Sequence, residues 1–135
     1  MSAHGIADIA VSILRWVADE PQPGLIEFNL VDSDGKDWRF IDKQAMASAV
    51  LLSAESTFPC HGSIRCEIVS FETNGSGRTL AQIDTQRPWC IESVDETHVF
   101  KVEAERLDRN VPRLDEIEAP FAFEVTVVTG TLKSR

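Results

Sequence analysis

Residues 63–104 read SIRCEIVSFET (63–73), NGSG (74–77), RTLAQID (78–84), TQRPWCIESVDE (85–96) and THVFKVEA (97–104). This is the pattern of a long strand, a tight turn, a second strand, a structured loop and a third strand. Two strand-like runs joined by a glycine-containing turn give a strong short-range hairpin signal. Closing the turn on 74–77 predicts Phe71 opposite Leu80 and Ile68 opposite Ile83. The inward residue then shifts by three along both strands, where a regular strand shifts by two. A matched shift predicts a bulge or sharp coil of the kind found at barrel corners. In the third strand Phe100, Val102 and Ala104 share one face. Cys66 shares a face with Ile64 and Ile68, so it reads as a small core residue.

Upstream, residues 25–32 and 36–42 form a first hairpin. A three-residue loop, Ser33-Asp34-Gly35, puts Gly35 in the left-handed conformation that such loops need. That register opposes Leu30 with Trp38, Phe28 with Phe40 and Asp32 with Lys36. A two-residue loop would turn the aromatic face outward. Residues 42–54 carry helical propensity around Lys43-Gln44-Ala45-Met46, with Asp42 as a cap, and predict a short helix over an irregular edge strand. Pro59 forces an extended entry to the next strand. Downstream, after Leu107, comes a charged connection with Pro112 and Pro120. Residues 121–132 then predict a last strand with Phe121, Phe123, Val125 and Val127 on one face.

At the N-terminus, Ile6, Ile9, Ile13, Trp16 and Val17 recur at helical spacing after a possible cap at Ser2. The expectation is an amphipathic helix over 2–19, packed on one end or face of the sheet. A homodimer through that helix is the sharper alternative. Pro21, Pro23 and Gly24 end it.

These elements predict a mainly β fold of one domain, 1–135: a helix at 2–19, a β-barrel at 24–132 and a frayed tail at 133–135. The barrel is small and antiparallel, of SH3-like, OB-like or translation-factor-like kind, with about six strands. A two-sheet β-sandwich is the alternative. No motif assigns the chain to a family.

Composition narrows the partners. The chain carries 13 Lys and Arg against 22 Asp and Glu, a net charge of -9. A phosphate backbone or an anionic membrane would be repelled by most of this surface, so neither is an expected partner. A basic protein is electrostatically favoured, although acidity also serves solubility. Three cysteines and no Lys or Arg before Arg15 predict reduced thiols, no secretory leader and a cytoplasmic location.

The chemistry-bearing residues are few. Cys60, His61, Cys66, Cys90 and His98 are suitable ligand types, but their spacing is not that of a zinc ribbon or finger. No metal or cofactor is expected. Cys90 with a histidine supplies the types for a nucleophile without a diagnostic signature. Phosphate loops, nucleophile elbows and His-Glu-x-x-His are absent. No catalytic residue is nominated, and the chain reads as a non-enzymatic module. The best candidate is the loop holding Arg87, Trp89, Cys90 and Glu92, with the neighbouring acidic pair Asp95 and Glu96. Trp and Arg on a loop fit an interface anchor. The plainer reading has Trp89 and Ile91 plugging the barrel end and Glu92 pairing Arg87. The acidic cluster at Asp115, Glu116 and Glu118 reads as a solvated loop.

The functional expectation is an acidic module that binds a protein partner, a basic or toxin-like one by charge and size. The alternative is a small-molecule binder or enzyme with a pocket at the barrel's open end, near Trp89 and Cys90 and lined by Trp38, Trp89 and a histidine or cysteine.

Overall fold

The structure is a computed structural model and describes residues 4–109. It is mainly β. The strands are β1 (Ile6–Ala18), β2 (Leu25–Val31), β3 (Asp37–Lys43), β4 (Cys60–Thr73), β5 (Thr79–Asp84), β6 (Val99–Glu103) and the short β7 (Leu107–Asp108). They form one antiparallel sheet in the order β3-β2-β1-β4-β5-β6. β7 pairs β1 at Asp8 and Ile9, on the flank that β2 leaves free.

The N-terminal helix is not formed. Its residues are β1, in the middle of the sheet. Ala7, Ile9, Val11 and Ile13 are buried while Ala10 and Ser12 are exposed, which is the period of a strand. The register against β2 slips between Ile13 and Arg15 and again between Trp16 and Ala18. The first slip lets Ile13 and Trp16 both pack on the core although they are three residues apart. A bulge thus imitates helical spacing, and the β-branched Ile6, Ile9, Val11, Ile13 and Val17 prefer the pleated conformation. The element expected to carry a homodimer is lost with the helix, because β1 is flanked by β2, β4 and β7.

Among the described residues the sheet curls without closing into a barrel. β3 and β6 are its two ends, and no ladder joins them. The Ser33 amide donates to the Lys101 carbonyl at 2.8 Å, and Arg106 donates to the Val31 carbonyl at 2.7 Å. Trp38 and Phe40 of β3 lie 5.3 and 5.8 Å from Phe100 of β6, centroid to centroid. Aromatic side chains and one backbone bond from the β2–β3 turn therefore join the two ends without a ladder. Inside the curl Phe28 stacks on Phe40 at 5.0 Å, among Ile9, Ile26, Ile64, Ile68, Ile83 and Val102. Each such side chain contributes roughly 1.5–3 kcal/mol on burial.

The first hairpin has the expected register, with Leu30 opposite Trp38 and Phe28 opposite Phe40. Gly35 is left-handed at φ 84°, and the Asp32 amide donates to Lys36. Asp32 also accepts from the Asp34 and Lys36 amides and from the Trp38 indole. In the second hairpin Ile68 opposes Ile83 as expected, but Phe71 opposes Ala81 and not Leu80. Its turn likewise holds three residues, since Thr73 pairs Thr79 and Asn74 bonds Arg78. One slip, between Ile68 and Ser70 on β4 alone, makes up the difference. A one-strand bulge replaces the matched shift, and Phe71 is left 37% exposed. Phe100 and Val102 do share the buried face of β6.

Between β3 and β4 the short helix reduces to one 3-10 turn, Gln44–Met46. The buried Gln44 side chain donates to the carbonyls of Pro23 and Leu52 and accepts from the Leu52 amide. This polar pin holds residues 44–52 as a folded loop, competing with helix continuation. The strand expected at 121–132, the acidic cluster at 115–118 and the tail at 133–135 lie outside the described residues.

Candidate functional site

The segment from Thr85 to His98, between β5 and β6, is held by bonds that its own sequence supplies. Thr85 is fully buried. Its amide donates to His98, and its hydroxyl donates to the Ile91 carbonyl at 2.6 Å. The Ile91 amide returns to Thr85, and the Cys90 amide donates to Gln86 at 2.7 Å. Ser93, also buried, accepts on its hydroxyl from the Asp95 and Thr97 amides and closes a small turn. Within that turn Glu96 is left-handed at φ 64°, and Cys90 is left-handed at φ 58°. Such values are uncommon for side-chain-bearing residues and persist where surroundings fix them.

This loop straddles the sheet. Ile91 is fully buried in the core, whereas Trp89 lies on the outer face of β4 over Arg65. Ile91 plugs the curl, and Trp89 is partly buried and packs against the core from its edge. The Arg65 carbon lies 5.1 Å from the Trp89 ring centroid, a cation–π contact. Cys90 is exposed at the crossover and Glu92 is half-buried. Beyond them the Val94 amide donates to the Arg39 carbonyl of β3 at 2.8 Å. Val94, Asp95 and Glu96 are exposed, and among the described residues neither acidic side chain has a bonded partner.

The outer face of β1, β4 and β5 beneath the loop is charged. Arg65 pairs with Asp8 through Nε at 3.0 Å. Arg87 donates to Glu67 at 2.6 Å and to Asp84 at 3.2 Å, so it does not pair Glu92. Asp84 also bonds His98 Nδ1 at 2.7 Å and accepts from the Gln86 amide. Burial alone would raise the Asp84 carboxyl, but the His98 bond, the Gln86 amide and the charges of His98 and Arg87 hold it below the usual range. These residues tie the loop to the strands.

The six loop residues read from the sequence therefore separate. Arg87 and Trp89 fasten the loop to β4 and β5, Cys90 and Glu92 occupy the crossover, and Asp95 and Glu96 form the outward turn. The tryptophans expected to line one pocket meet different partners. Trp38 packs on Phe100, on the far side of the sheet from Arg65. Trp89 instead lines a groove of about 190 Å³ with Asp8, Ser63, Arg65 and residues 45–49, and no histidine or cysteine takes part. Cys66 faces the core, and burial pushes its thiol up to about 12. Among the described residues no three His, Cys, Asp or Glu side chains are placed to share a metal ion.

Asp8, Arg65, Glu67 and Asp84 were missed by sequence reasoning. The signal was present in Ile64-Arg65-Cys66-Glu67-Ile68, where two charges alternate with core residues. In an outward row on a half-covered sheet such charges read as solvated. Only the return of Trp89 and Arg87 over them makes a site. Among the described residues no helix is long and apolar enough to cross a membrane. Comparison with family models, with curated proteins and with solved structures finds no match to this chain.

Proposed function

We propose that this chain is a non-enzymatic binding module that takes a basic protein partner on the outward turn of the loop between β5 and β6. The observation that carries the reading is the conjunction at Val94-Asp95-Glu96. An apolar side chain 54% exposed stands beside two exposed carboxylates that have no bonded partner among the described residues, on a loop held at both ends. The Val94–Arg39 bond sets this turn against β3, whose Ile41 is 42% exposed. An apolar centre with an acidic rim suits a basic surface that carries one apolar side chain. A rigid presenting loop lowers the ordering cost of association. The net charge of -9 favours encounter with a basic partner.

The test compares what the native chain and the double variant Asp95→Lys/Glu96→Lys retain from lysate at low and moderate salt. A stoichiometric basic protein held by the native chain, weakened by salt and lost by the variant, is the expected result. The same proteins retained by both chains would overturn the assignment of the face.

A further inference from the structure

Arg65 stands apart from the other cations of the described residues. It lies in the middle of β4 and is only 7% exposed. Its Nε and Nη2 both donate to Asp8, at 3.0 and 3.4 Å. Its Nη1 is buried and, among the described residues, has no hydrogen-bond partner. In a guanidinium paired side-on through Nε and Nη2, Nη1 lies on the side away from the carboxylate. The Trp89 ring covers the guanidinium, and beside both opens the groove lined by Asp8, Met46, Ser48, Ser63, Arg65 and Trp89. A buried, charged donor without an acceptor is unfavourable, so an oxygen placed on it is bound with gain.

The charge balance selects the kind of oxygen. Asp8 already neutralises Arg65, and the loop's arginine, Arg87, is committed to Glu67 and Asp84. An anion would bring an unpaired charge to a chain of net charge -9. A neutral carbonyl brings none. Each Asp8 oxygen accepts one bond from Arg65 and keeps a lone pair for a second donor. Met46 and Trp89 offer an apolar wall. About 190 Å³ is room for roughly six waters, enough for one small ring with a polar edge.

We infer that this groove binds a small neutral carboxamide or lactam, with its carbonyl oxygen on Arg65 Nη1, its N–H on Asp8 and its flat body against Met46 and Trp89. Trp89 tilts off the guanidinium to admit the oxygen. The site is independent of the protein-partner face at Val94-Asp95-Glu96 and stands whether or not that face is correct.

The test is a titration of the native chain with benzamide, benzoate and aniline, followed by the tryptophan indole resonances. Trp89→Phe identifies the Trp89 signal. Benzamide is expected to shift the Trp89 indole saturably, with benzoate and aniline at least tenfold weaker. Arg65→Lys keeps a cation for Asp8 and removes Nη1. It is expected to weaken benzamide by roughly ten- to hundredfold, the worth of a bond to a charged donor. No saturable shift by about 10 mM benzamide would overturn the inference, since even millimolar binding registers there. Benzoate binding as tightly as benzamide would overturn it as well. The three-probe comparison needs only the native chain and decides the matter even if Arg65→Lys does not fold.

Discussion

Trp89 and Arg65 show how one contact can decide what a residue is for. A tryptophan on a loop suggests an anchor for a partner. Here its ring rests on a guanidinium that is itself fixed by Asp8, so the first role of Trp89 is to hold the loop down. Trp89→Ala is expected to cost about 1–2 kcal/mol of stability without loss of the fold, as measured by urea unfolding. Global unfolding would show that the loop organises the whole sheet. The cysteines divide in the same way. Cys90 is exposed, whereas Cys66 is buried with its thiol pushed up to about 12. A thiol reagent near neutral pH should modify Cys90 in the native chain and reach Cys66 only after denaturant is added. Mass mapping of the labelled peptides reads this directly, and native labelling of Cys66 would contradict its placement.

Elements were legible where side-chain pattern and turn chemistry agreed. The Ser33-Asp34-Gly35 loop fixed the first hairpin because only one register keeps Phe28, Leu30, Trp38 and Phe40 on one face. The apparent helical period of β1 arises where a bulge stretches period two toward three, and only the β-branched Ile6, Ile9, Val11, Ile13 and Val17 point locally to a strand. The outer charged face was not legible either. Asp8 and Arg65 are 57 residues apart, and their pairing follows from the β1–β4 register. Two pairs of substitutions test the elements where they pack. Gly62 sits against β1, and a Cβ there would lie 2.5 Å from the Ala47 carbonyl and 2.7 Å from Ile13 Cδ1. Gly62→Ala should cost about 1–3 kcal/mol through overpacking. Gly35→Ala has open space and should cost only about 1 kcal/mol, for its left-handed backbone. Equal effects in denaturant melts would contradict the close approach of β1 and β4. Ile91→Ala, which empties a fully buried site, should cost about 2–5 kcal/mol, while Val94→Ala should stay within about 0.5 kcal/mol.

For the molecule as a whole, acidity shapes stability as well as partner choice. Burial raises the Glu27, Asp32 and Asp84 carboxyls, but arginine, indole, amide and histidine partners outweigh it and hold all three below their ordinary range. The Arg39 bond lowers Asp37, and its own backbone amide and Arg106 lower Glu103. Asp42 goes the other way, raised by burial. A carboxyl depressed in the fold stabilises it when ionised, and that contribution is lost as pH falls through the folded value. Asp42 contributes oppositely, since its ionisation is harder in the fold. Among the described residues, five depressed groups against one raised predict that the urea midpoint is level near neutral pH and falls on acidification below about pH 4. A midpoint that rises over that range would contradict the pairings.

The binding reading depends on a loop that is already ordered before anything docks. The most direct measurement is amide hydrogen exchange across residues 84–99 of the free chain. The bonds observed predict slow exchange at Thr85, Cys90, Ile91, Ser93, Val94 and Glu96, whose amides all donate within the fold. Fast exchange at Ile91 and Val94 would mean that the loop is neither pinned inside the core nor set against β3. The preformed face at Val94-Asp95-Glu96 would then be lost with it.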